Sequence, residues 1–398
     1  MSKGDSAAQI RVLASMAEVD AAAWDALANP VGATYDPFVT HAFLSALEAS
    51  GSVAPDTGWL PQHLLLGGAG SKPIAAMPCY LKSHSMGEFV FDHGWAEAYE
   101  RAGMDYYPKL LAAVPVTPVP GKRFLTGSAS DAVSLQTTLT AAAIELTRRH
   151  KASSLHVTFL EPEQSDRAGA DGLLQRHGHQ YHWTNVGYGA FDDFLATLTS
   201  RKRKNLKRER RDALATGISI DWLTGAEITE AHWDAFFDFY TDTGNRKWGS
   251  PYLNRRFFSL LGAAQAKDCL LVLAKRDGRY IAGALNMIGG EALYGRYWGC
   301  LEQHPFLHFE VCYYQAIDFA IARKLKRVEA GAGGEHKLVR GYEPMNTYSA
   351  HWIADPRFRK AIADFLVRER KHVERQGEAM AEMGPFRKGP VQGKSDED

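Results

Sequence analysis

The segment Ile218-Ser219-Ile220-Asp221, followed by Trp233-Asp234-Ala235-Phe236, repeats an earlier part of the same chain. The earlier copy reads Ile10-Arg11-Val12-Leu13 and then Trp24-Asp25-Ala26-Leu27. About 210 residues separate the two copies, which is far more than the unit of a stacked solenoid. Two copies of one domain are therefore the simplest explanation.

The similarity continues beyond these segments. Phe43-Leu44-Ser45-Ala46-Leu47 is matched by Phe257-Phe258-Ser259-Leu260-Leu261, and His182-Trp183 is matched by His351-Trp352. Ligand pockets often lie between related domains. We therefore expect the functional site in a cleft between or beside the two halves.

The repeat and the composition predict the domain boundaries. The first domain is expected at residues 8–188 and the second at residues 189–385, since a chain of 398 residues is long enough for two or three cores. Residues 386–398 are rich in Gly, Lys and acidic residues and are predicted to be a disordered tail.

Charge and hydrophobicity exclude several classes of protein. Lys and Arg number 46 and Asp and Glu number 46, so the net charge does not draw the chain to DNA, and any anion binding must be local. No apolar run reaches the roughly 18 residues of a membrane span, and Met1-Ser2-Lys3-Gly4-Asp5 does not begin a signal peptide. The chain is expected to be cytoplasmic. Its four cysteines lack C-x-x-C spacing and are expected to be buried thiols.

Both halves read as mixed α/β, and the second half is the clearer of the two. Asp277-Gly278 lies between β-prone runs and predicts a hairpin turn. The predicted order is strand 218–223, helix 229–240, strands 270–274, 280–288 and 293–299, helix 307–325, strand 327–330, and a last helix opened by Asp355-Pro356.

This order of elements is the plan of the GNAT acyltransferase domain. Longer motifs go further and resemble the FemAB-like predicted N-acyltransferases, a family associated with peptidoglycan biosynthesis or recognition. The motifs are Lys82-Ser83-His84-Ser85, 87–92, 106–110, Ser200-Arg201-Lys202-Arg203-Lys204, Arg246-Lys247-Trp248-Gly249, 294–299, Leu307-His308-Phe309-Glu310 and 335–342.

The resemblance implies a tandem duplicated GNAT-like fold of α/β (α+β) class. It also implies transfer of an acyl or aminoacyl group to an amine acceptor. The acceptor is a small molecule or a peptide, and a peptidoglycan precursor is one candidate. The implied donor is acyl-CoA or aminoacyl-tRNA, with no permanently bound cofactor and tRNA as a possible partner. The motif residues Arg296 and Trp298 are assigned to substrate binding.

One departure from the GNAT pattern concerns the donor. Enzymes that use acyl-CoA usually carry a glycine-containing loop before the central helix, where backbone N–H groups hold the pyrophosphate. Residues 300–306 contain no glycine, so ordinary CoA binding there is not expected. Gly333 and Gly334, beside Lys337 and Arg340, either form an anion-binding nest for the donor or only a flexible turn.

Acyl transfer requires a base, oxyanion donors and an acid, and three residues are predicted to be catalytic. Glu310, near the start of the long helix, is either a desolvated base or a carboxylate paired with an arginine such as Arg296. His336 either titrates near neutral pH or has a structural role. Tyr342 is the candidate acid, although most tyrosines are packing residues.

Two further groups of residues are predicted to bind the substrates. The first half contains a polar group expected to bind the acceptor: Lys82, His84, Glu88, Asp92, Tyr107 and Lys109. The basic run that includes Arg201, Arg203 and Lys204 is either a solvated linker helix or a clamp for donor phosphates.

A catalytic metal is not expected. His177-Gly178-His179 has no carboxylate at helical spacing, and no H-E-x-x-H motif is present. The alternative to an enzyme is a recognition protein that binds a cell-wall precursor or peptide in the cleft without chemistry.

Overall fold

The computed structural model describes residues 9–68, 72–247, 251–331 and 333–387, with the backbone alone at 245–247. The strands in these residues are β1 (Gln9–Leu13), β2 (Trp59–Pro61), β3 (His63–Gly67), β4 (Ala75–Met77), β5 (Cys79–Lys82), β6 (Lys109–Ala112), β7 (Ser154–Leu160), β8 (Leu174–Thr184), β9 (Ser219–Thr224), β10 (Cys269–Arg276), β11 (Arg279–Ile288), β12 (Ala292–Cys300), β13 (Arg327–Glu329) and β14 (Glu343–Ile353). The helices are α1 (Ala21–Ala28), α2 (His41–Ala49), α3 (His93–Arg101), α4 (Ala132–Arg149), α5 (Pro162–Ala170), α6 (Phe191–Thr197), α7 (Ser200–Leu214), α8 (Glu230–Lys247), α9 (Arg255–Gln265), α10 (Leu307–Phe309), α11 (Gln315–Ala322) and α12 (Pro356–Glu382).

The predicted order of elements in the second half is confirmed. β10 and β11 form the expected antiparallel hairpin, and Asp277 and Gly278 at its turn take φ angles of 49° and 77°. Such angles are what a two-residue hairpin turn of this type requires. Asp355 caps α12 by accepting hydrogen bonds from the backbone N–H groups of Arg357 and Phe358.

The long helix predicted at residues 307–325 is interrupted. After α10, residues Glu310–Tyr314 form a π-helical segment, and α11 then ends at Ala322. Lys324, with a φ of 55°, turns the chain toward β13. We call α10, the π segment and α11 together the central helix. Short π segments within helices often mark functional sites.

The two halves exchange strands within one large sheet. An 11-stranded sheet has the order β2-β5-β6-β7-β14-β8-β13-β12-β11-β10-β9, and β1, β3 and β4 form a second sheet. Each half contains a parallel pair joined by a crossover helix, β6–α4–β7 in the first half and β12–central helix–β13 in the second. β14 from the second half pairs with β7, and β8 from the first half pairs with β13. The two halves on either side of residues 188/189 therefore share this sheet through the pairs β8–β13 and β14–β7.

The register of β8 and β14 places a pseudo-two-fold axis between them. Gly178 pairs with Thr347, and the repeated residues His182 and His351 lie four positions beyond Gly178 and Thr347 on their respective strands. The axis therefore passes through the Gly178–Thr347 pair. His182, on β8 of the first half, lies opposite β13 of the second half. His351, on β14 of the second half, lies opposite β7 of the first half.

The repeated helices share one hydrophobic core. Trp24 of α1 and Trp233 of α8 occupy equivalent places in the repeat, and both are buried in the same cluster. The equivalent residues Phe43 and Phe257 are in direct edge contact, with ring centroids 5.9 Å apart. This contact joins the halves at their symmetry-related helices, as a two-fold arrangement requires.

Several smaller expectations also have a structural counterpart. Cys79 and Cys269 are buried, as expected, while Cys300 and Cys312 are half-buried. Of the predicted tail, Phe386 forms a β-bridge with Leu198, and residues 388–398 lie outside the described residues. Among the helices described, none has the length and apolar character that crossing a membrane requires.

Candidate functional site

The predicted site residues fall into two separated groups. We call the first the Lys109 cluster: Lys82, Ser85, Glu88, Asp92, Tyr106, Tyr107 and Lys109. The second, the Glu310 cluster, consists of Glu209, Arg210, Glu310, Tyr314, Asp318 and Arg340. Four strand spacings separate β6, which carries Lys109, from β13 beside the central helix. At about 4.8 Å per spacing this is roughly 19 Å, so no small ligand contacts both groups at once.

Lys109 is the centre of the first cluster. Its fully buried ammonium group donates to Ser85 Oγ at 2.8 Å, to Glu88 Oε2 at 2.7 Å and to Asp92 Oδ2. Tyr106 OH also donates to Asp92 Oδ2, at 2.6 Å. One lysine thus holds two buried carboxylates, which are tolerated in a protein interior only when they are paired.

The buried environment shifts the pKa values in this cluster. Burial lowers the pKa of Lys82 to about 7, and Lys82 Nζ lies 3.5 Å from the centroid of the Trp59 ring. Burial raises the pKa of Glu88 to about 7. Burial also acts against the Asp92 carboxylate, but Lys109 and His156 outweigh it and hold the pKa of Asp92 well below its usual range.

His84 and Tyr107 lie at the edge of the Lys109 cluster. Tyr107 OH is 2.8 Å from Ser85 Oγ, and His84 Nε2 is 3.0 Å from the carbonyl oxygen of Thr57. The structure therefore brings together the residues expected to bind the acceptor. Glu88 Oε1 and Asp92 Oδ1 are buried without a hydrogen-bond partner.

A chain of buried histidines extends the Lys109 cluster across the sheet. His156 Nε2 is 2.7 Å from Ser154 Oγ and 3.3 Å from Tyr106 OH. His156 Nδ1 is 2.8 Å from His351 Nδ1. Burial lowers the pKa of His156 to about 3 and that of His351 well below its ordinary value. Both rings are therefore neutral near pH 7.

Glu310 is the centre of the second cluster and is paired. Its Oε1 accepts hydrogen bonds from Arg210 Nη2 at 2.8 Å and from Gln315 Nε2 at 2.7 Å, and its Oε2 accepts from Arg210 Nε at 3.2 Å. Of the two alternatives for Glu310, the geometry corresponds to the arginine-paired carboxylate. The arginine is Arg210 of α7, whereas Arg296 donates to Val116.

Arg340 and Tyr342 have structural partners in the same region. Arg340 Nη2 donates to Glu209 Oε2 at 2.9 Å, and its guanidinium lies 3.4 Å from the centroid of the Phe309 ring. Tyr342 is fully buried, and its hydroxyl donates to the carbonyl oxygen of Tyr313 at 3.4 Å. The contacts of Glu209 and Arg210 thus hold the basic helix α7 against the central helix and the segment around Arg340.

His336 and Lys337 lie in the short 3₁₀ helix Glu335–Arg340. His336 Nε2 is 2.9 Å from Tyr313 OH. Lys337 Nζ donates to the carbonyl oxygens of Ala330 and Gly331, at 2.7 and 3.2 Å, and burial lowers the pKa of Lys337 to about 8. Lys337 therefore stabilises the turn in which Gly333 and Gly334 adopt positive φ angles.

The cations at the start of α7 face solvent. Arg201 and Lys204 are exposed and Arg203 is half-buried. Within the described residues, the ion pairs of the basic run involve Lys207, Arg210 and Arg211. The predicted donor-binding cations at 201–204 thus remain available to an external anion.

The strands β12 and β13 part at the junction of the two halves. Their parallel pairing ends at Tyr294–Glu329, while β12 continues to Cys300. A β-bulge at Arg296 interrupts the pairing of β12 with β11, and bulges are frequent next to active sites. Arg296 Nη2 and Tyr297 OH donate to the carbonyl oxygen of Val116, at 3.1 and 2.9 Å, which ties the bulge to the first half.

Trp298 lies further along β12, beyond the last residue of β12 that pairs with β13. Its ring packs on His308 with a centroid distance of 5.1 Å. Trp298, Cys300, Glu302, His304 and His308 are among the residues that line a cleft of about 390 Å³ between β12 and the start of the central helix.

A third set of buried polar residues lies where the strands part. We call Gln180, His182 and Glu329 the junction group. His182 on β8 is directly opposite Glu329 on β13, and Gln180 lies two positions before His182 on the same face. All three are more than nine-tenths buried. Sequence reasoning missed Glu329, although a charged residue between Val328 and Ala330 was a detectable signal.

Among the residues that the structure describes, no three His, Cys, Asp or Glu side chains are grouped so that they could hold an ion.

Comparison with known proteins shows the family and the fold. The FemAB-like family model, described as peptidoglycan biosynthesis/recognition, matches residues 15–388. The crystal structure of FemX is 14% identical with a TM-score of 0.53, covering 87% of this chain and 98% of that chain. L-PGS from Bacillus licheniformis is 9% identical with a TM-score of 0.50, covering 85% and 98%.

A tandem GNAT protein from the clavulanic acid biosynthesis pathway is 13% identical with a TM-score of 0.46, covering 88% of this chain and 99% of that chain. No match was found among curated proteins. At these identities the structural likeness shows the fold alone, and the predicted tandem GNAT-like architecture is confirmed.

Proposed function

The chain belongs to the FemAB-like family of peptidoglycan biosynthesis and recognition proteins, and we propose that it transfers an acyl or aminoacyl group to an amine acceptor. The donor is acyl-CoA or aminoacyl-tRNA, and the acceptor is a small molecule or peptide of the kind found in peptidoglycan precursors. The amine attacks the donor carbonyl directly while both substrates are bound between the halves.

The observation that carries this proposal is the parting of β12 and β13 beside the bulge at Arg296. A parted pair of parallel strands leaves backbone groups of β12 beyond Tyr294 without a partner on β13. Such groups can hydrogen-bond the donor's carbonyl oxygen as negative charge develops on it, which is the largest single contribution in many acyl transfers. The cleft beside Trp298 opens at the same place.

The donor's phosphates are proposed to lie against α7. Arg201, Arg203 and Lys204 present positive charge at the start of this helix, and tRNA or CoA would neutralise it. Lys337 and Arg340 already hold neighbouring parts of the chain, so we assign them to the support of the turn at Gly333 and Gly334.

The roles of the predicted catalytic residues follow from their partners. Since both oxygens of Glu310 are engaged by Arg210 and Gln315, we propose that Glu310 positions α7 and through it the donor cations. Tyr342, whose hydroxyl is buried against Tyr313, supports the same region. His336, next to Tyr313, replaces Tyr342 as the proposed acid for the leaving group.

The Lys109 cluster is proposed to recognise the acceptor. Glu88 Oε1 and Asp92 Oδ1 lack hydrogen-bond donors, so an acceptor with several N–H or O–H groups would satisfy them. Given the separation of roughly 19 Å estimated from strand spacing, this cluster would bind the part of an extended acceptor that lies far from the reacting amine.

Calorimetric titration with coenzyme A and with total tRNA tests the proposed donor. Saturable binding of coenzyme A would identify an acyl-CoA transferase despite the missing glycine loop, and binding of tRNA alone would identify an aminoacyl transferase. The alternative function, recognition of a cell-wall precursor without chemistry, predicts no turnover with any acyl donor.

A further inference from the structure

The pseudo-two-fold axis relates two pairs of buried residues that differ in one respect. His351 faces His156 in the first half, and His182 faces Glu329 at the equivalent place in the second. In the first pair both nitrogens of His156 have hydrogen-bonding neighbours, at 2.8 Å to His351 and 2.7 Å to Ser154. In the second pair, His182 Nε2 and Glu329 Oε2 are 3.6 Å apart, which is too long for a hydrogen bond.

The first pair retains one buried nitrogen without a partner, His351 Nε2, and the second pair has such atoms on both of its residues. His182 Nε2, Glu329 Oε2 and the neighbouring Gln180 Oε1 all lack a hydrogen-bond partner. Gln180 Nε2 donates to the carbonyl oxygen of Pro118 at 2.6 Å, which orients the amide oxygen away from that contact. Two of these atoms are acceptors, and His182 Nε2 is a third when the ring proton is on Nδ1.

Three buried acceptors without donors define the chemistry of a complementary ligand. An unpaired buried acceptor is unfavourable, so a group that supplies N–H donors would be bound favourably. A primary amine supplies two such donors and an ammonium group supplies three. The other strong charge on this strand, Arg327, donates to Glu329 Oε1 at 2.8 Å and leaves Oε2 free for the ligand.

We infer that the junction group binds the primary amine of the acceptor substrate, and that His182, oriented by the amine and by Glu329, takes up the proton released during transfer. This inference rests on the proposed acyl transfer and names the group that receives the proton. The junction group lies where β12 and β13 part, which is also where the donor carbonyl is proposed to bind.

The chemical step balances with these groups. The amine, having lost its ammonium proton to solvent, forms the new C–N bond with the donor carbonyl carbon. The C–S bond of a thioester or the C–O bond of an aminoacyl ester breaks. The surplus proton of the nitrogen passes to His182 Nε2, and the departing sulfur or oxygen takes its proton from His336. Proton exchange with solvent then returns both rings to their starting states.

The charges that face His182 keep it neutral before the reaction. Burial lowers the pKa of His182, and Arg327 on β13 and Lys337 in the 3₁₀ helix act in the same direction, while Glu329 opposes them. On the other neighbouring strand, β14, the residue opposite His182 is Glu343, which is exposed. A neutral imidazole at physiological pH is the form that can accept a proton.

Access to the junction group requires movement of the segment that covers it. The carbonyl oxygens of Val116 and Pro118 accept hydrogen bonds from Arg296, Tyr297 and Gln180. Val116 has a φ of 48°, which is strained for a β-branched residue. This strain favours release of the segment when the amine enters.

The test uses n-butylamine as the probe and the full chain as the protein. Binding is followed by calorimetry for the wild type, Glu329→Gln and His182→Asn. NMR of the His182 ring proton signals provides a second readout in the two proteins that retain His182. Glu291→Gln is the matched control, because Glu291 also pairs with Arg327 but lies outside the junction group. Circular dichroism and thermal melting establish that each variant is folded.

The expected result is saturable binding by the wild type and by Glu291→Gln, with affinity at least tenfold weaker in Glu329→Gln. If Glu329→Gln does not fold, His182→Asn provides the same comparison. No binding by the wild type, or equal binding by wild type and both variants, would overturn the inference. Binding that depends on Glu329 in a protein without turnover would keep the amine site and reject the proposed function. Turnover that survives in both variants would reject the inference alone.

Discussion

His182 and Glu329 face each other from neighbouring antiparallel strands, with 3.6 Å between His182 Nε2 and Glu329 Oε2. The equivalent pair of the other half, His351 and His156, is closed by a contact of 2.8 Å between their Nδ1 atoms. The first pair thus has a direct contact and one unpartnered nitrogen, His351 Nε2, while both residues of the second pair keep unpartnered polar atoms. This difference is the reason for placing the proposed chemistry at the second pair.

The buried histidines His156 and His351 predict how the stability of the protein depends on pH. Burial lowers the pKa of His156 to about 3 and that of His351 well below its ordinary value, whereas both titrate near 6.5 when unfolded. Their contribution to stability is fully present above about pH 6.5. Below that pH the unfolded chain binds protons that the folded chain does not, so the free energy of unfolding falls by about 1.4 kcal/mol per pH unit for each histidine.

Urea unfolding at pH 7.0 and pH 5.5 measures this dependence. Glu88, whose pKa burial raises to about 7, acts in the opposite direction and offsets part of the loss. Replacement His351→Gln is expected to reduce the dependence on pH. Equal free energies of unfolding at the two pH values in the wild type would contradict the assignment of neutral buried histidines.

Lys109→Met is predicted to destabilise the protein strongly. The substitution leaves the carboxylates of Glu88 and Asp92 buried without their cation, and breaking a buried ion pair in this way costs about 3–5 kcal/mol. Chemical denaturation at pH 7 measures the loss, which should shrink at acid pH as the carboxylates take up protons.

An exposed ion pair provides the control for Lys109→Met. Arg149→Met removes the solvent-exposed pair between Arg149 and Glu145 and should change stability by no more than about 0.5 kcal/mol. If Lys109→Met were equally mild, the Lys109 cluster would not be the tightly coupled buried group described above.

Glu310→Gln is predicted to loosen α7. The substitution removes the negative charge that pairs with Arg210, at a cost of about 1.5–3 kcal/mol for hydrogen bonds to charged groups. Asp318→Asn, which affects a more exposed partner of Arg210, should cost less. Thermal melting of both variants measures the difference. Unchanged stability together with turnover reduced by orders of magnitude would instead identify Glu310 as the base.

Removal of the cations at the start of α7 is predicted to weaken donor binding without unfolding the protein. The triple variant Arg201→Gln, Arg203→Gln, Lys204→Gln changes two exposed residues and the half-buried Arg203. If tRNA is the donor, its affinity should fall, and the dependence of log affinity on log salt should become less steep by about 0.7–0.9 per lost phosphate contact.

A matched triple variant on α12 controls for net charge. Arg368→Gln, Lys371→Gln and Arg375→Gln remove three exposed cations far along another helix. The salt dependence should be unchanged in this control. Equal losses in both triple variants would show that charge alone, rather than α7, governs tRNA binding.

Local pattern predicted the fold of the second half well. The hairpin at Asp277-Gly278, the N-cap at Asp355 and the order of elements follow from turn chemistry and periodicity, which are local properties of the chain. The exchange of β8 and β14 did not follow, because strand pairing across more than 160 residues leaves no local signal. The interruption at Glu310 also depends on side-chain contacts that periodicity does not contain.

The candidate site was predictable only in part. Sequence reasoning grouped Lys109 with Glu88 and Asp92, since these residues lie close together in the chain. It left Glu310 as either a base or a carboxylate paired with an arginine such as Arg296. The paired arginine is Arg210, which α7 brings to the central helix only in the folded chain. Glu329 was missed because its importance comes from His182, which stands opposite it on a strand from the other half.

Acylation of n-butylamine by the purified protein, followed by mass spectrometry with a panel of acyl-CoA and aminoacyl-tRNA donors, tests the proposed acyl transfer most directly. The account predicts an N-acylated product with the wild type and with Glu291→Gln, and a rate at least a hundredfold lower with His182→Asn, as loss of acid–base assistance implies. Absence of product with every donor, in a protein that binds the amine, would contradict the transferase and favour a recognition protein.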